Sequence, residues 1–382
     1  KVSKVYKRVA SAVNKMLYED FVKNGLAFIL PEEMVQRSLT KFHLNRLSWT
    51  AKQGKKKGRP IVDCSFGVRN LNSEYTKEMS DQHWGIIEHP TISDLVLMIL
   101  EYFQSLDNGD WNDLVLWKLD LKGAYTLLTF KSDEIKYMGG ELDDGNYIFF
   151  LSGIFGWNGT PAAFQVVTRA IQHECNVHLA GKAKMYVDDI MGVCLREDVD
   201  QEIKTISDIC CRLFNSDCVE SSKTAIGRRL DFIGYSVDLD QRLVSVSERN
   251  YLRCIYGFCF VDLDSSVELK FLERLASWGS RYSTICEFLR PLTHVLYDQM
   301  IGKKDQYRIF LDQRTKLFIQ VLRSVFIMSM LFEKKYTRSL DSFCKRPSNV
   351  IIEFDASLFG GGCLIYQRIG NKYKVVGGSQ YD

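Results

Sequence analysis

The sequence predicts an α+β fold: strands and helices intermingle over roughly residues 1–245, a helical block follows, and strands return near the end of the 382 residues. Three observations lead there. Apolar spacing switches between helical and strand-like periods along the first part. Neither GxGxxG nor GxxxxGKS/T occurs, which removes the usual phosphate loops of a doubly wound parallel sheet. The length suits two or three domains, each with a core of its own.

The elements follow in order. Val5, Val9, Val13, Met16 and Leu17 recur at helical spacing within residues 1–25. Residues 52–59 (KQGKKKGR) form a basic, glycine-containing loop leading into the strand-like RPIVDCS. Thr91 to Leu106 predicts a helix with Ser93 or Asp94 as N-cap. Leu114 to Leu121 reads as a buried strand. Thr160 to Leu179 is a long helix with Pro161 in its first turn. Lys184 to Val193 is two apolar runs joined at Asp188-Asp189, and Val199 to Phe214 is a helix. Arg229 to Val246 holds two strands around Asp238-Leu239-Asp240. Residues 266–335 are mostly helical, and 349–377 return to strands.

The formal net charge is only +3, but residues 1–70 carry 15 Lys and Arg against 5 Asp and Glu. That bias suits a phosphate backbone or a solvated basic surface. The eleven cysteines include no CxxC pair, which argues against a zinc knuckle and a secreted disulfide framework and for a reduced intracellular compartment, cytoplasmic or nuclear. His173, Glu174, Cys175 and His178 place their histidines five apart, not the four of HExxH, so a polar helix surface is expected there. No apolar run reaches the roughly 18 residues of a membrane span, and the best stretch, Val325 to Phe332, is far shorter. No signal peptide is visible, and a chain opening on Lys1 reads as a segment of a longer one.

Two acidic sites interrupt apolar strands. Asp120 ends the run Val115-Leu116-Trp117-Lys118-Leu119, and Asp188-Asp189 divides Met185-Tyr186-Val187 from Ile190-Met191. Carboxylates on buried strands repel one another and lose hydration unless something positive compensates. A divalent metal is the usual compensation. Taken alone, Asp188-Asp189 also suits a hairpin turn.

The surrounding motifs add to this. KMYVDDIMGV resembles the YxDD motif of reverse transcriptases, and LWKLDLKGAY resembles their first palm motif, an Asp followed five residues later by an aromatic. SGIFGWNGTPAAFQ resembles the second, KKKGRPIVDCSFGVRNLN the fingers motif, LDFIGYSVD the strand pair that grips the primer end, and ELKFLERLASWGSRYS the first thumb helix. All six occur in the family's order over roughly residues 50–300, closest to long-terminal-repeat and tyrosine-recombinase retrotransposons and retroviruses. Two departures stand out: a longer turn from Asp63 to Leu71-Asn72, and Ile154 where many relatives have proline.

The resemblance implies a right hand. Fingers would span 1–85 and 126–150, palm 86–125 and 151–245, and thumb with helical connection 246–345. It implies RNA-directed DNA polymerase activity with two Mg²⁺ or Mn²⁺ ions. Asp120 and Asp188 would be the main metal ligands, with Asp189 in support and the Leu121 carbonyl in reach. Lys57 and Arg59 would clamp the deoxynucleoside triphosphate, helped by the amides of Gly123 and Ala124, with Lys223 near the leaving pyrophosphate. Tyr125 would be the steric gate under the sugar. Phe155 and Gly156 would meet the templating base and the nucleotide. Tyr186, Phe232, Gly234, Tyr235 and Trp278 would hold the template–primer. The partners implied are an RNA template, a DNA primer or RNA/DNA hybrid, and deoxynucleotides, with no membrane.

The tail, VIIEFDASLFGGGCLIYQ, resembles the opening hairpin of a ribonuclease H domain, in which Asp355 would be the first catalytic carboxylate. The later acids of that family would fall beyond Asp382, so residues 346–382 are expected to be an incomplete unit. Two other functions compete: an RNA-dependent RNA polymerase, against which Tyr125 argues, and a domesticated, non-catalytic nucleic-acid-binding protein on the same fold, against which the three aspartates argue.

Overall fold

A computed structural model of the chain describes residues 2–50, 58–107, 109–214, 218–303, 305–332, 336–344, 350–357, 360–369 and 372–381. The chain divides into two compact units, Lys1–Arg338 and Ser339–Asp382.

In the first unit, N-terminal helices pack on a five-stranded sheet. Its strands run in the order Ala27–Leu30, Tyr147–Phe150, Gly139–Glu141, Leu44–Thr50 and Arg59–Asp63. Tyr6, Val13 and Leu17 meet Leu47, Ile148 and Phe150 in its core.

A second sheet carries the acidic residues. Its order is Lys182–Tyr186, Asp189–Leu195, Leu114–Asp120 and Ala225–Gly227. Leu114–Asp120 is central, and its alternate residues Val115, Trp117 and Leu119 pack with Phe164 and Ile171 of helix Gly159–His178 and with Ile206, Ile209 and Cys210 of helix Val199–Phe214. Leu114 and Leu116, of the other parity, are buried as well, so both faces of this strand are covered. Trp117 lies opposite Gly192, where a Cβ would come within 2.2 Å of the indole; only glycine fits under that ring.

Three local expectations are corrected, and one helix is added. Helix Ile92–Gln104 is capped by Thr91, not by Ser93 or Asp94. Asp94 instead closes a capping box from the third helical position, accepting from Thr91 N at 2.7 Å while its own N–H donates to Thr91 Oγ1 at 3.3 Å. The acidic hairpin turns at Val187-Asp188, and Asp189 already pairs with Tyr186 and Asp120. Arg229–Val246 holds three strands, Arg229–Phe232, Tyr235–Asp238 and Leu243–Val246, because Ile233-Gly234 makes an extra two-residue turn. Helix Glu248–Phe260, unassigned from sequence, precedes helices Leu269–Ser283, Arg290–Asp298 and Gln313–Leu331. Phe258, Tyr282 and Phe326 join three of these in one aromatic core.

The second unit contains an antiparallel sheet of Val350–Ser357, Gly360–Ile369 and Lys372–Tyr381 in sequence order. Asp355 lies opposite Gly362; its side chain is outside what the structure describes. Among the described residues no helix is long and apolar enough to cross a membrane.

Candidate nucleotidyl-transfer site

Asp120 and Asp189 are direct cross-strand partners at one end of the central sheet. Partners in register share a face, so two like charges sit side by side. Asp188 occupies the adjoining turn, and its carbonyl accepts from Leu121 N at 2.9 Å, tying the turn to the residue after Asp120. Leu121 itself is buried. The preceding Val187 has φ 55°, a left-handed conformation that a β-branched residue rarely adopts. Burial above all, joined by the charges of Asp120 and Asp189, holds the Asp188 carboxyl above the usual carboxylate range, against a hydrogen bond from its own backbone N–H and the smaller pull of Lys223.

Two lysines offset the rest of the charge. Lys118, on the same face two residues before Asp120, reaches Asp189 Oδ1 at 3.0 Å. Lys223 reaches Asp120 Oδ2 from the short 3₁₀ turn Ser221–Lys223. Glu220 N donates to the Asp120 carbonyl at 2.8 Å and Lys122 N to the Cys218 carbonyl at 2.7 Å, so this segment runs alongside the end of the strand. The resemblance placed Lys223 near pyrophosphate, whereas nothing in the sequence pointed to Lys118, whose partner depends on register.

Among the described residues no three of His, Cys, Asp and Glu are arranged to hold a metal ion. The donor set nevertheless fits Mg²⁺, which takes one or two carboxylates and completes its shell with water and substrate phosphate oxygens. Asp120 and Asp188 are two hard oxygen donors, and the Asp120 charge is near enough to bear on Asp188. Asp189 is engaged by Lys118.

Beside the acids stands a row of rings. Gly123 and Ala124 turn the chain with φ 75° and 34° into the 3₁₀ turn Ala124–Leu127, which carries Tyr125. The Tyr125 ring lies 4.8 Å from Phe155 and 5.5 Å, edge-on, from Phe164. Burial first, and then the Asp188 charge, raise its hydroxyl pKa, so it stays neutral. The Arg59 guanidinium sits 5.4 Å over Phe155, on the exposed side of the row. Lys57 lies outside the described residues. Gly156, at φ 121°, lets the loop press against the Arg59–Asp63 strand: Val62 N donates to the Phe155 carbonyl at 3.0 Å. Asn72, in the lengthened fingers motif, seals this joint by donating to the Gly156 carbonyl at 2.7 Å and accepting from Asn158 N at 2.9 Å.

The remaining expected residues lie further along. The Tyr186 ring lies 4.8 Å from His89 at a 44° tilt, and burial lowers the imidazole pKa. Phe232 is buried, Gly234 has φ 90°, and Tyr235 donates its hydroxyl to the Arg281 carbonyl at 3.1 Å. Arg228 docks this hairpin onto the base of the Asp120 strand by donating from Nη1 to the carbonyls of Trp111, Asn112 and Leu114. Trp278 covers Gly257 and lines a groove with Arg249, Arg253, Tyr256 and Phe271.

One group was missed from sequence. Arg281 packs against Gly234, and its charge and that of Arg249 both bear on Arg253, whose pKa is lowered by burial first and then by them. Among the described residues none of the three is paired with a carboxylate. The i, i+4 spacing of Arg249 and Arg253 was a legible signal; the approach of Arg281 was not.

No protein-family model matches the sequence, and no curated protein matches it. Solved structures match in architecture: the chain is a mixed α/β protein with a reverse-transcriptase-like fold. Similar structures are those of the foamy viral protease-reverse transcriptase. One, a dRH form in complex with double-stranded DNA, is 13% identical with a TM-score of 0.55 over 100% of this chain and 56% of that one. Another, with an RNA/DNA hybrid, is 13% identical with a TM-score of 0.56 over 100% and 44%. A third, with double-stranded DNA, is 14% identical with a TM-score of 0.54 over 100% and 68%. The chain thus spans about half the length of the first two.

Proposed function

We propose that this chain is the RNA-directed DNA polymerase of a retroelement, adding deoxynucleotides to a primer 3′-hydroxyl with release of pyrophosphate. The observation that carries this is the cluster of Asp120, Asp188 and Asp189 at one sheet end, flanked by Tyr125, Phe155 and Arg59. In this reading residues 1–245 are fingers and palm, 246–345 thumb and connection, and 346–382 the start of a ribonuclease H-like unit containing Asp355.

Asp120 and Asp188, with the Leu121 carbonyl in reach and Asp189 in support, would hold two Mg²⁺ or Mn²⁺ ions, which when bound activate the 3′-hydroxyl and offset charge on the leaving pyrophosphate. The protein's own groups position and neutralise. Arg59 offers its fork to triphosphate oxygens, and the Gly123 and Ala124 amides add donors without bulk. Lys223 turns from Asp120 toward pyrophosphate and carries a proton on Nζ. The neutral Tyr125 ring forms the floor under the sugar and excludes a 2′-hydroxyl. Gly156, Tyr186, Phe232, Gly234, Tyr235 and Trp278 hold the template–primer. Arg249, Arg253 and Arg281 pair with its phosphates.

The test is primer extension on an RNA template with deoxynucleotides and Mg²⁺ or Mn²⁺, comparing wild type with Asp188→Asn. Extension lost on substitution supports the reading; extension that survives overturns the site. One observation favours a non-catalytic nucleic-acid-binding protein: Lys118 and Lys223 already neutralise two of the three carboxylates. Binding of primer–template without extension by wild type would establish that alternative.

Two further outcomes separate the readings. Tyr125→Val is expected to raise ribonucleotide incorporation by about a hundredfold relative to deoxynucleotide, since two or three kcal/mol of steric exclusion is removed. A wild type that already prefers ribonucleotides would make this an RNA polymerase. Arg253→Ala and Arg281→Ala should each weaken primer–template binding uniformly across sequences and reduce the salt slope by about 1, measured by anisotropy across a salt series. An unchanged slope would remove these arginines from the phosphate path.

A further inference from the structure

The strand that leads into Asp188, Lys182–Tyr186, lies at a free edge of its sheet. The inward side of this strand pairs with Asp189–Leu195. Its outward N–H groups would be bare, yet each one just before or along the strand meets a side-chain oxygen. Gly181 N donates to Glu202 Oε1. Ala183 N donates to Asn176 Oδ1 at 2.9 Å, and Met185 N to Gln172 Oε1 at 3.0 Å. Asn176 Nδ2 returns a bond to the Ala183 carbonyl at 3.1 Å, so its amide pairs with that residue as a peptide would. A second bond from Nδ2 to the Gln172 carbonyl, at 2.8 Å, fixes the amide's orientation.

The oxygens fall at alternate residues, 181, 183 and 185, the period of a neighbouring strand. They come from two helices. Gln172 and Asn176 are one helical turn apart on Gly159–His178, and Glu202 lies on Val199–Phe214. Glu202 also accepts from Trp117 Nε1 at 2.9 Å, which joins the ladder to the strand that ends in Asp120. Gly181 admits the carboxylate, since a Cβ there would sit 2.7 Å from Glu202 Oε1 and 2.2 Å from the Val193 carbonyl.

The turn beyond the strand is strained. Val187 holds φ 55° at the first position of a two-residue loop, where glycine is the favoured residue. Such a conformation persists only when its surroundings over-determine it. A slip of one residue in the strand would relieve Val187 and would carry Asp188 to the opposite face, away from Asp120.

We propose that Gln172, Asn176 and Glu202 are positioning residues: a surrogate strand that sets the register of the hairpin and holds the Val187 turn so that Asp188 stays beside Asp120. This rests on the reading in which Asp188 serves nucleotide transfer. The ladder also blunts a sheet edge, but edge protection alone would not tie its loss to the rate of the reaction.

The experiment uses the full chain with Gln172→Leu and Asn176→Leu, and with Gln172→Glu, which keeps the acceptor for Met185 N. Hydrogen exchange over residues 181–187 is read alongside kcat and the deoxynucleotide KM. The leucine variants should exchange Ala183 and Met185 amides about tenfold faster or more, and lose about tenfold in kcat with KM little changed. Gln172→Glu should behave as wild type. Adding Val187→Gly to Gln172→Leu should restore much of the kcat, because glycine adopts the turn without strain. Faster exchange with unchanged kcat would reduce the ladder to edge protection, and unchanged exchange would mean its bonds are not made; either overturns the proposal. If the leucine variants fail to fold, Gln172→Ala and Asn176→Ala, which remove the acceptors for Met185 N and Ala183 N without adding an apolar branch, carry the same readouts. A wild type that extends no primer overturns the polymerase reading instead, and the register device is then decided by exchange, with and without Val187→Gly.

Discussion

Asp188→Asn is expected to abolish primer extension, by about a thousandfold or more, while leaving the protein as stable as wild type or more so. The rate loss follows from removing a charged oxygen where charge develops; loss of a single neutral donor at such a place already costs about a hundred- to thousandfold. The stability effect follows from the environment. Burial, then Asp120 and Asp189, push the Asp188 carboxyl above its usual range, so its ionised form opposes folding at neutral pH. Asparagine keeps the shape and removes the charge, and a rise of roughly 1–3 °C in Tm is expected, measured without divalent ions. Asp189→Asn should do the reverse. It strands the Lys118 ammonium, lowers Tm, and slows extension only about tenfold, because that carboxylate faces a lysine. Equal rate losses at the two positions would mean that Asp189 is as directly engaged as Asp188.

The opposite signs at neighbouring residues show what the sequence could and could not reveal. Asp120, Asp188 and Asp189 were legible because carboxylates interrupt apolar strands, and burying a charge there demands a reason. Helix Val199–Phe214 was legible because its apolar positions keep a helical period. Lys118 was not. It reads as one more residue of a strand until Asp120 is set opposite Asp189, and register is a long-range property.

The hairpin turns were misread for a related reason. Val187 and Ile233 adopt φ 55° and 40°, where local preference argues against a turn. The Ile233-Gly234 turn is held from outside: Asn250 Nδ2 and Ser247 N each donate to the Gly234 carbonyl at 3.1 Å, and Arg281 packs against its α-carbon. Tertiary contacts overrule propensity at both turns, and both lie beside residues expected to meet the primer. Asn72 is a third case. Its place in a Leu-Asn pair was visible, but its partner is a loop more than 80 residues away.

That joint predicts the second large effect. Gly156→Ala is expected to raise the deoxynucleotide KM by about tenfold or more while weakening primer–template binding far less, since Gly156 is one of six residues proposed to hold the template–primer. An alanine Cβ would lie 1.9 Å from the Val62 carbonyl, and φ 121° is itself closed to an L-residue at a cost of about 1–3 kcal/mol. The contact is backbone on backbone, so no rotamer can relieve it. The loop must retreat from the Arg59–Asp63 strand, stretching the bonds from Val62 N to Phe155 and from Asn72 to Gly156. Arg59 is three residues from Val62 and sits over Phe155, which in turn lies against Tyr125. A shift of the loop therefore separates the proposed triphosphate clamp from the proposed sugar floor. Asn72→Ala removes the seal without the clash and should give a smaller change in the same direction. Steady-state KM and anisotropy titration with labelled primer–template separate the two terms. A wild-type KM in Gly156→Ala would mean that Arg59 and Tyr125 do not act on one nucleotide; equal losses in KM and template affinity would mean that the joint supports the whole cleft and not the nucleotide pocket.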